Sequence, residues 1–175
     1  EPTPQPPTPE PDEASAKQMT AQVFGREGTA PVVPSSHART VPIIRQLKAK
    51  HMAGADHGVT ILDASPGTSC PVVETMRGAD FVLLVTEPTP FGLHDLRLTV
   101  QVARDELGLP VGVVVNRDGV GDAGVDEYCA AQGIPILMRI PLDRRIAQAI
   151  SGGKTLVEAL PEYRPHFLEL YKQIA

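Results

Sequence analysis

Four short apolar runs constrain the fold of this chain more than any other feature. They are rich in β-branched residues, they end abruptly at polar or proline residues, and they span 59–62, 81–85, 111–115 and 134–140. A continuous apolar run is typical of a strand that is buried on both faces of a parallel sheet. The sequence therefore predicts four strands, each ending where polar side chains begin.

Helical patterns lie between and around these runs. From residue 91 to residue 107, apolar side chains recur every three or four positions, which places them on one face of a helix. Thr89 is a predicted cap for that helix, and Gly108 is a predicted stop. Further helices are predicted over 39–51 and 164–174, and after the capping residues Asp122 and Asp143.

Strands that alternate with helices predict an α/β fold with a three-layer, doubly wound, mostly parallel sheet. Open sheets of this class usually contain five or more strands, so four predict a sheet that is incomplete on its N-terminal side. Residues 1–14 are rich in proline, which predicts a disordered linker. We therefore expect the folded part to span 15–175. Because the first residue is Glu1, we also expect a piece of a longer protein.

Composition excludes several classes of function. The net charge is −5 and there is no tryptophan, which argues against a surface that binds nucleic acid. No apolar run approaches the length of a membrane span, and no secretory leader is visible. The two cysteines, Cys70 and Cys129, form neither a disulfide framework nor a C-x-x-C pair. These features predict a cytoplasmic protein without a membrane span.

Ligands of open α/β sheets bind at the carboxyl ends of the strands, so the residues after each run are the candidates for a site. After the first run, Asp63 could face a magnesium–water shell, and Gly67 could present a backbone N–H to a phosphate. Asp63 could equally cap the next helix. Asn116 offers a donor and an acceptor to a nucleotide base. Asp143 could accept from a base or ribose, although turn and capping roles are the commoner ones for isolated residues of these types.

Three segments, taken together, resemble a known family. Residues 61–74, 79–96 and 113–143 are similar, in order and spacing, to the MinD/ParA/Mrp ATPases. The similarity is greatest to the branch with an inserted ferredoxin domain, and it covers about residues 58–160. The resemblance implies a P-loop fold, of which this chain is the C-terminal portion.

The resemblance also implies roles for particular residues. Asp63 would be the Walker-B-like acid that acts on magnesium through water, and Gly67 would meet the γ-phosphate. Asn116, with Arg117 beside it, would read adenine, and the loop from Pro141 to Asp143 would close over the base. The implied cofactors are ATP and magnesium. The implied assembly is a homodimer that works with an iron–sulfur or redox partner, any 4Fe-4S cluster being held outside these residues.

The sequence departs from the family in three places. It contains no glycine-rich phosphate loop, because Gly153-Lys154-Thr155 follows a predicted helix rather than a strand and is interpreted as a chance match. The four-cysteine ferredoxin pattern is absent. Ser65 stands where the family usually has a second proline. We therefore expect that these 175 residues alone neither bind ATP tightly nor hydrolyse it.

Whether the chain takes part in catalysis is left open by two alternatives. It could be a non-catalytic protein-interaction module of the same fold, or part of an ATP-dependent amidoligase of the cobyrinic acid a,c-diamide synthase type. A reactive thiolate at Cys70 is conceivable because a helix is predicted to start there, but a small helix residue is the commoner role. Cys129 is predicted to lie in the core, and His94 and Asp95 on a solvated helix face.

Overall fold

The computed structural model describes residues 37–52 and 59–174. The chain divides into two units, Glu1–His57 and Gly58–Ala175. The first contains helix α1, His37–Met52, close to the range predicted for it. The predicted linker over 1–14 lies outside the described residues.

The second unit alternates helices and strands along the chain. A π-helical segment, Gln101–Glu106, continues α3, and a single 3-10 turn, Pro161–Tyr163, precedes α7. The elements are α2 Cys70–Met76, β1 Val82–Thr86, α3 Pro90–Val100, β2 Val111–Asp118, α4 Gly124–Gln132, β3 Ile136–Pro141, α5 Arg144–Ser151, α6 Leu156–Ala159 and α7 Arg164–Ile174.

The three strands form one parallel sheet in the order β1-β2-β3, with β2 in the middle. Three of the four predicted strands are therefore confirmed, with small shifts at their ends. β2 continues three residues beyond its apolar run, through Asn116 to Asp118. Two irregularities interrupt the pairing of β2 with β3, whereas β1 pairs with β2 without a break.

The prediction of a strand over 59–62 was wrong. Residues 59–65 have no regular structure, and the side chain of Ile61 is 86% exposed. A strand requires hydrogen-bond partners along its backbone, and none of the described strands pairs with this run. An apolar β-branched pattern shows that a segment fits a sheet, but it does not supply the neighbouring strand.

Helices cover both faces of the sheet, so the three-layer α/β fold is confirmed. On the first face, α2, α3 and α4 pack against Val82, Val113 and Val115. On the second face, the residues from α5 to α7 pack against Val114 and Met138. Alternating residues of β2 thus enter two different cores, as the period of a strand requires.

The ends of the helices follow the predicted signals closely. Thr89 caps α3 by accepting from the N–H of Gly92 at 3.1 Å, and Gly108 follows the helical segment with a φ of 69°. Asp143 caps α5. Asp122 lies one residue before the cap position of α4, and its Oδ1 still accepts from the N–H of Gly124 at 2.9 Å. No helix within the described ranges is long and apolar enough to cross a membrane.

Candidate functional site

Polar residues from two neighbouring strands meet at the carboxyl edge of the sheet. Asn116 of β2 pairs with Ile140 of β3, and the next pairing joins Asp118 to Pro141. The N–H of Leu142 donates to the carbonyl oxygen of Asp118 at 3.1 Å, which fixes the loop after β3 to the end of β2. These bonds bring four predicted site residues into one place, which we call the strand-end cluster: Asn116, Arg117, Pro141 and Asp143.

Arg117 has an unusual backbone conformation within this cluster. Its φ of 54° is the only positive value for a non-glycine residue in the described part of the chain. Such a conformation is uncommon, and it concentrates at sites where function requires a particular orientation. The Arg117 guanidinium reaches across the sheet edge to the carboxylate of Glu87, with Nη1 3.4 Å from Oε2. Both side chains are partly exposed, so the pair orients Arg117 more than it stabilises the fold.

A second ionic contact supports the cluster from β3. Arg139 lies between two carboxylates: its Nη1 is 3.3 Å from Asp118 Oδ1, and its Nη2 donates to Asp126 of α4. The hydrogen bond to Asp126 raises the pKa of Arg139. Sequence patterns gave no role to these three residues or to Glu87. A charge inside the apolar run of β3, together with the acidic residue that follows β1, was the available signal.

The carboxylate of Asp143 is already engaged by its own helix. Its Oδ1 accepts from the backbone N–H of Arg145, and its Oδ2 accepts from Arg145 Nε, both at 2.8 Å. The Arg145 side chain, followed by the backbone N–H, lowers the pKa of Asp143. The predicted capping role is confirmed. Any bond to a base or ribose would use the remaining lone pairs of this carboxylate.

The loop that follows β1 is clamped to the loop that follows β2. The N–H of Asp122 donates to the carbonyl oxygen of Pro88 at 3.1 Å. Gly121 has a φ of 96°, and a Cβ at this position would lie 1.6 Å from the same oxygen. Across the first loop, the hydroxyl of Thr86 in β1 donates to the carbonyl oxygen of Gly92 in α3 at 2.9 Å. The ends of β1 and β2 are therefore held rigidly relative to each other.

The other predicted half of the site is not held in this way. Asp63 and Gly67 are exposed, and Asp63 makes no hydrogen bond or ion pair within the described residues. Gly67 has a φ of 94°, a value that suits glycine and few other residues. No described contact joins either residue to the strand-end cluster. The structure thus brings together four of the six predicted site residues.

The single carboxylate of Asp63 fits a magnesium ion only if phosphate oxygens and water supply the other ligands. No group of three or more His, Cys, Asp or Glu side chains that could hold a metal occurs in the described ranges. Magnesium commonly binds to one or two carboxylates, several waters and the phosphates of a substrate, and a lone Asp63 fits that pattern. An iron–sulfur cluster does not fit these residues. Such a cluster is held by several cysteine thiolates, whereas the two cysteines here lie apart, Cys70 being exposed and Cys129 buried.

Several smaller predictions are settled by the surroundings of each residue. Cys129 lies in the core with 1% of its surface exposed, and burial raises the pKa of its thiol. His94 and Asp95 are exposed, as predicted. The Gly153-Lys154-Thr155 triplet joins α5 to α6, where Thr155 forms a capping box with Glu158. The triplet is thus a helix-capping turn rather than a phosphate loop.

Comparison with known proteins places the chain beside several relatives. No family model matches it. It is 32% identical over 120 residues to an uncharacterised protein of Methanocaldococcus jannaschii, covering 69% of this chain and 40% of the relative. It is 27% identical over 136 residues to cytosolic Fe-S cluster assembly factor nubp2 of Xenopus tropicalis, covering 68% of this chain and 50% of that protein.

A third relative is the cytosolic Fe-S cluster assembly factor NUBP2 homolog of Trichoplax adhaerens. It is 28% identical over 120 residues, covering 58% of this chain and 45% of the relative. The chain spans half or less of the length of each of these three relatives. The fold therefore defines a parallel α/β protein with its polar site at the carboxyl edge. Among its homologues are cytosolic Fe-S cluster assembly factors.

Proposed function

We propose that this chain is the base-binding and switch portion of a MinD-type ATPase that serves iron–sulfur or metal-centre assembly. The observation that carries the proposal is the strand-end cluster, which gathers Asn116, Arg117, Pro141 and Asp143 where open α/β sheets bind ligands. The similarity to Fe-S cluster assembly factors supports the same proposal.

The cluster offers suitable groups for an adenine base. The Asn116 amide supplies one acceptor and a donor group on neighbouring atoms, which matches the paired acceptor and amine of adenine. Arg117, held by Glu87, covers the β1 side of the cluster, and Pro141 offers an apolar surface on the β3 side. The clamped loops keep these groups in place before any ligand arrives, which reduces the ordering entropy of binding.

The switch side would hold the triphosphate end of the nucleotide. Asp63 would hold a water of the magnesium shell, and Gly67 would donate its N–H to the terminal phosphate. Magnesium would supply charge neutralisation at the phosphates. Asp63 and Gly67 lie in a segment without packed neighbours, so they are free to respond to that phosphate. We expect the chain by itself to bind ATP weakly and not to hydrolyse it.

The link to cluster assembly comes from the relatives rather than from a cluster site on these residues. The described side chains hold no suitable group of ligands, so an iron–sulfur cluster would be cargo or would be bound elsewhere. We propose that the complete protein acts in the cytoplasm as a homodimer and delivers to an iron–sulfur or redox partner. Hydrolysis would reset the dimer by releasing residues 59–69, which we call the switch segment.

Nucleotide binding tests this proposal directly. The assay is a titration with a fluorescent ATP analogue and magnesium, made on this chain and on the full translation product that contains it. We expect tight binding only by the full product. Asn116→Ala should weaken ATP binding by about tenfold to a hundredfold, the effect of leaving a base without its hydrogen bonds. Full translation product that binds no ATP in the presence of magnesium would refute the function.

Two further variants separate the roles within the site. Asp63→Ala should abolish hydrolysis by the full product while leaving ATP binding within about tenfold, because it acts on magnesium rather than on the base. Asp95→Asn is the matched control, since it removes a carboxylate from an exposed helix position outside the site. Loss of hydrolysis in both variants would show that charge, rather than position, is responsible.

A further inference from the structure

Arg139 is the one charged residue of β3, whose remaining residues are apolar. Its register partner in β2 is Val115, which lies in the core of the first face. Register partners point to the same face of a sheet, so Arg139 extends toward α4 on that face. Its guanidinium there meets two carboxylates from different elements, Asp118 at the end of β2 and Asp126 in the first turn of α4.

Asp118 connects these ionic contacts to the loop over 141–143. Its carboxylate accepts from Arg139 Nη1 at 3.3 Å, and its backbone carbonyl oxygen accepts from the N–H of Leu142 at 3.1 Å. The side chain of Asp118 is therefore held by Arg139, while its backbone holds the loop. Leu142 is the middle residue of that loop, which the proposed function places over the nucleotide base.

Regular strand pairing does not fix this end of the sheet. The register of β2 with β3 shifts between Asn116 and Asp118, and Arg117 between them has a φ of 54°. An irregularity of this kind disrupts the ladder of backbone hydrogen bonds locally. A side chain that joins both strands to a helix can therefore determine where Asp118 lies, and with it the bond to Leu142.

The contacts of Arg139 suit local positioning more than global stability. The side chains of Arg139, Asp118 and Asp126 are 41%, 34% and 41% exposed, and ion pairs with this exposure contribute little to the free energy of unfolding. The planar guanidinium nevertheless presents several donors in a fixed arrangement, so it can hold two carboxylates at a set separation. A lysine ammonium is a single compact charge and lacks that geometry.

We propose that Arg139 is a positioning residue for binding of the nucleotide base. By bridging Asp118 and Asp126, it holds the end of β2 against α4 and keeps the N–H of Leu142 bonded to Asp118. It acts through the loop rather than on the ligand. The positioning of the loop rests on these contacts, whereas its consequence for the base rests on the proposed function.

Hydrogen exchange tests the positioning without any nucleotide. In the 175-residue chain, Arg139→Met should accelerate exchange of the Leu142 amide at least about fivefold and leave the urea midpoint of unfolding nearly unchanged. Arg104→Met is the matched control, because Arg104 also pairs with a carboxylate, that of Asp105, and bonds to Gln132 at the other end of α4. It should leave the Leu142 amide unchanged. Unchanged exchange in Arg139→Met, or equal acceleration in both variants, would overturn the proposal.

Two further variants test whether the bridge itself is responsible. Asp126→Asn removes the charge on the helix side and should accelerate the Leu142 amide by a similar factor. Combined with Arg139→Met it should add nothing, because both changes break the same connection. Arg139→Lys keeps the charge but not the geometry, and should also accelerate the exchange. Additive effects of the first pair, or wild-type exchange in Arg139→Lys, would overturn the bridge.

Two ligands separate the base from the phosphates in the full translation product that contains this chain. Arg139→Met should weaken binding of ATP about threefold to tenfold, because the loop over the base is no longer held in place. It should leave binding of inorganic tripolyphosphate, which has no base, unchanged. In hydrolysis, KM for ATP should rise by the same factor while kcat stays within about twofold. Equal weakening of both ligands would overturn the role in base binding.

Failure of this inference and failure of the proposed function give different results. If the wild-type product binds ATP and Arg139→Met changes neither Leu142 exchange nor ATP affinity, the function stands and the positioning role fails. If Leu142 exchange is accelerated while ATP affinity is unchanged, the loop is positioned by Arg139 but its role at the base is overturned. If the wild-type product binds no ATP, the proposed function fails, and accelerated exchange would still support the positioning of the loop.

Discussion

Asn116 and Asp63 each follow an apolar, β-branched run, yet only Asn116 lies in a strand. The run before Asn116 pairs on both sides, with β1 and with β3. The run before Asp63 pairs with no described strand, and its Ile61 faces water. Intrinsic β preference is similar in the two segments, so the difference between them is the presence of neighbours.

The same difference divides the candidate site into two halves. The strand-end cluster is fixed by backbone pairing, by the contact of Leu142 with Asp118 and by the clamp on Pro88. Asp63 and Gly67 have no comparable support. A nucleotide-driven switch requires a rigid half that binds and a free half that responds. The contrast between the halves is therefore what the proposed function requires, and it can be measured.

Two glycines with nearly the same backbone conformation give the largest expected contrast. Gly121 has a φ of 96° and Gly67 a φ of 94°, but only Gly121 faces a backbone oxygen, that of Pro88. Gly121→Ala should lower the free energy of unfolding by about 3 kcal/mol or more, because strain and steric overlap add. Gly67→Ala should cost about 1 kcal/mol or less, as its segment is not packed. Urea denaturation measures both losses.

Gly119→Ala is the internal control for that comparison. Gly119 has a φ of 93°, and no atom lies within 4 Å of a Cβ built there. It lies in the same loop as Gly121. The decrease in the free energy of unfolding on Gly119→Ala should therefore measure the cost of a positive φ without steric overlap. Equal losses for Gly119 and Gly121 would contradict the clamp on Pro88.

The paired valines of β1 and β2 give the next contrast. Val114→Ala removes methyl groups from the core of the second face and should cost about 2 kcal/mol. Val85→Ala removes the same groups from an exposed position on the same face and should cost less than about 0.5 kcal/mol. Thermal or urea unfolding of the isolated chain tests this. A large loss at Val85 would show that the face over β1 is already covered.

The sequence predicts local structure well and long-range structure only in part. Helix caps at Thr89 and Asp143, and the bounds of α7, follow from side chains that act within a few residues, and they were correct. The strand at 59–62 was wrong because pairing depends on a distant segment that a local pattern does not report. The two irregularities in the pairing of β2 with β3 escaped prediction for the same reason.

The site shows the same limit. Strand-end position was enough to select Asn116 and Pro141, which the sheet brings together. It was not enough to find Glu87 as the partner of Arg117, because the contact depends on the side-by-side register of β1 and β2. The positive φ of Arg117 was also invisible in the sequence, since arginine carries no preference for it. Roles that depend on a ligand remain predictions.

The cap of α5 predicts a smaller effect that depends on pH. The pKa of Asp143 is lowered by Arg145, so its stabilisation is complete above the unfolded pKa, about 3.9, and is lost as pH falls through the folded pKa. Asp143→Asn keeps the capping shape but not the charge, and should slightly lower the urea midpoint of unfolding at neutral pH. The stability difference between the two chains should narrow as the pH falls through the lowered, folded pKa of Asp143. A difference that persists in acid would exclude a contribution from charge.

The two cysteines locate the boundary between the rigid and the free regions. Cys70 is exposed at the start of α2, directly after the switch segment, whereas Cys129 lies in the core of the first face. A thiol reagent should therefore modify Cys70 in the native chain at least about a hundredfold faster than Cys129, whose pKa burial raises. Cys70→Ser should remove the fast phase entirely.

Because Val72 and Met76 anchor α2 in the same core, hydrogen exchange should be slow in α2 and fast in 59–69. Fast exchange throughout α2 would show that the free half of the site includes that helix and that the rigid half begins at β1.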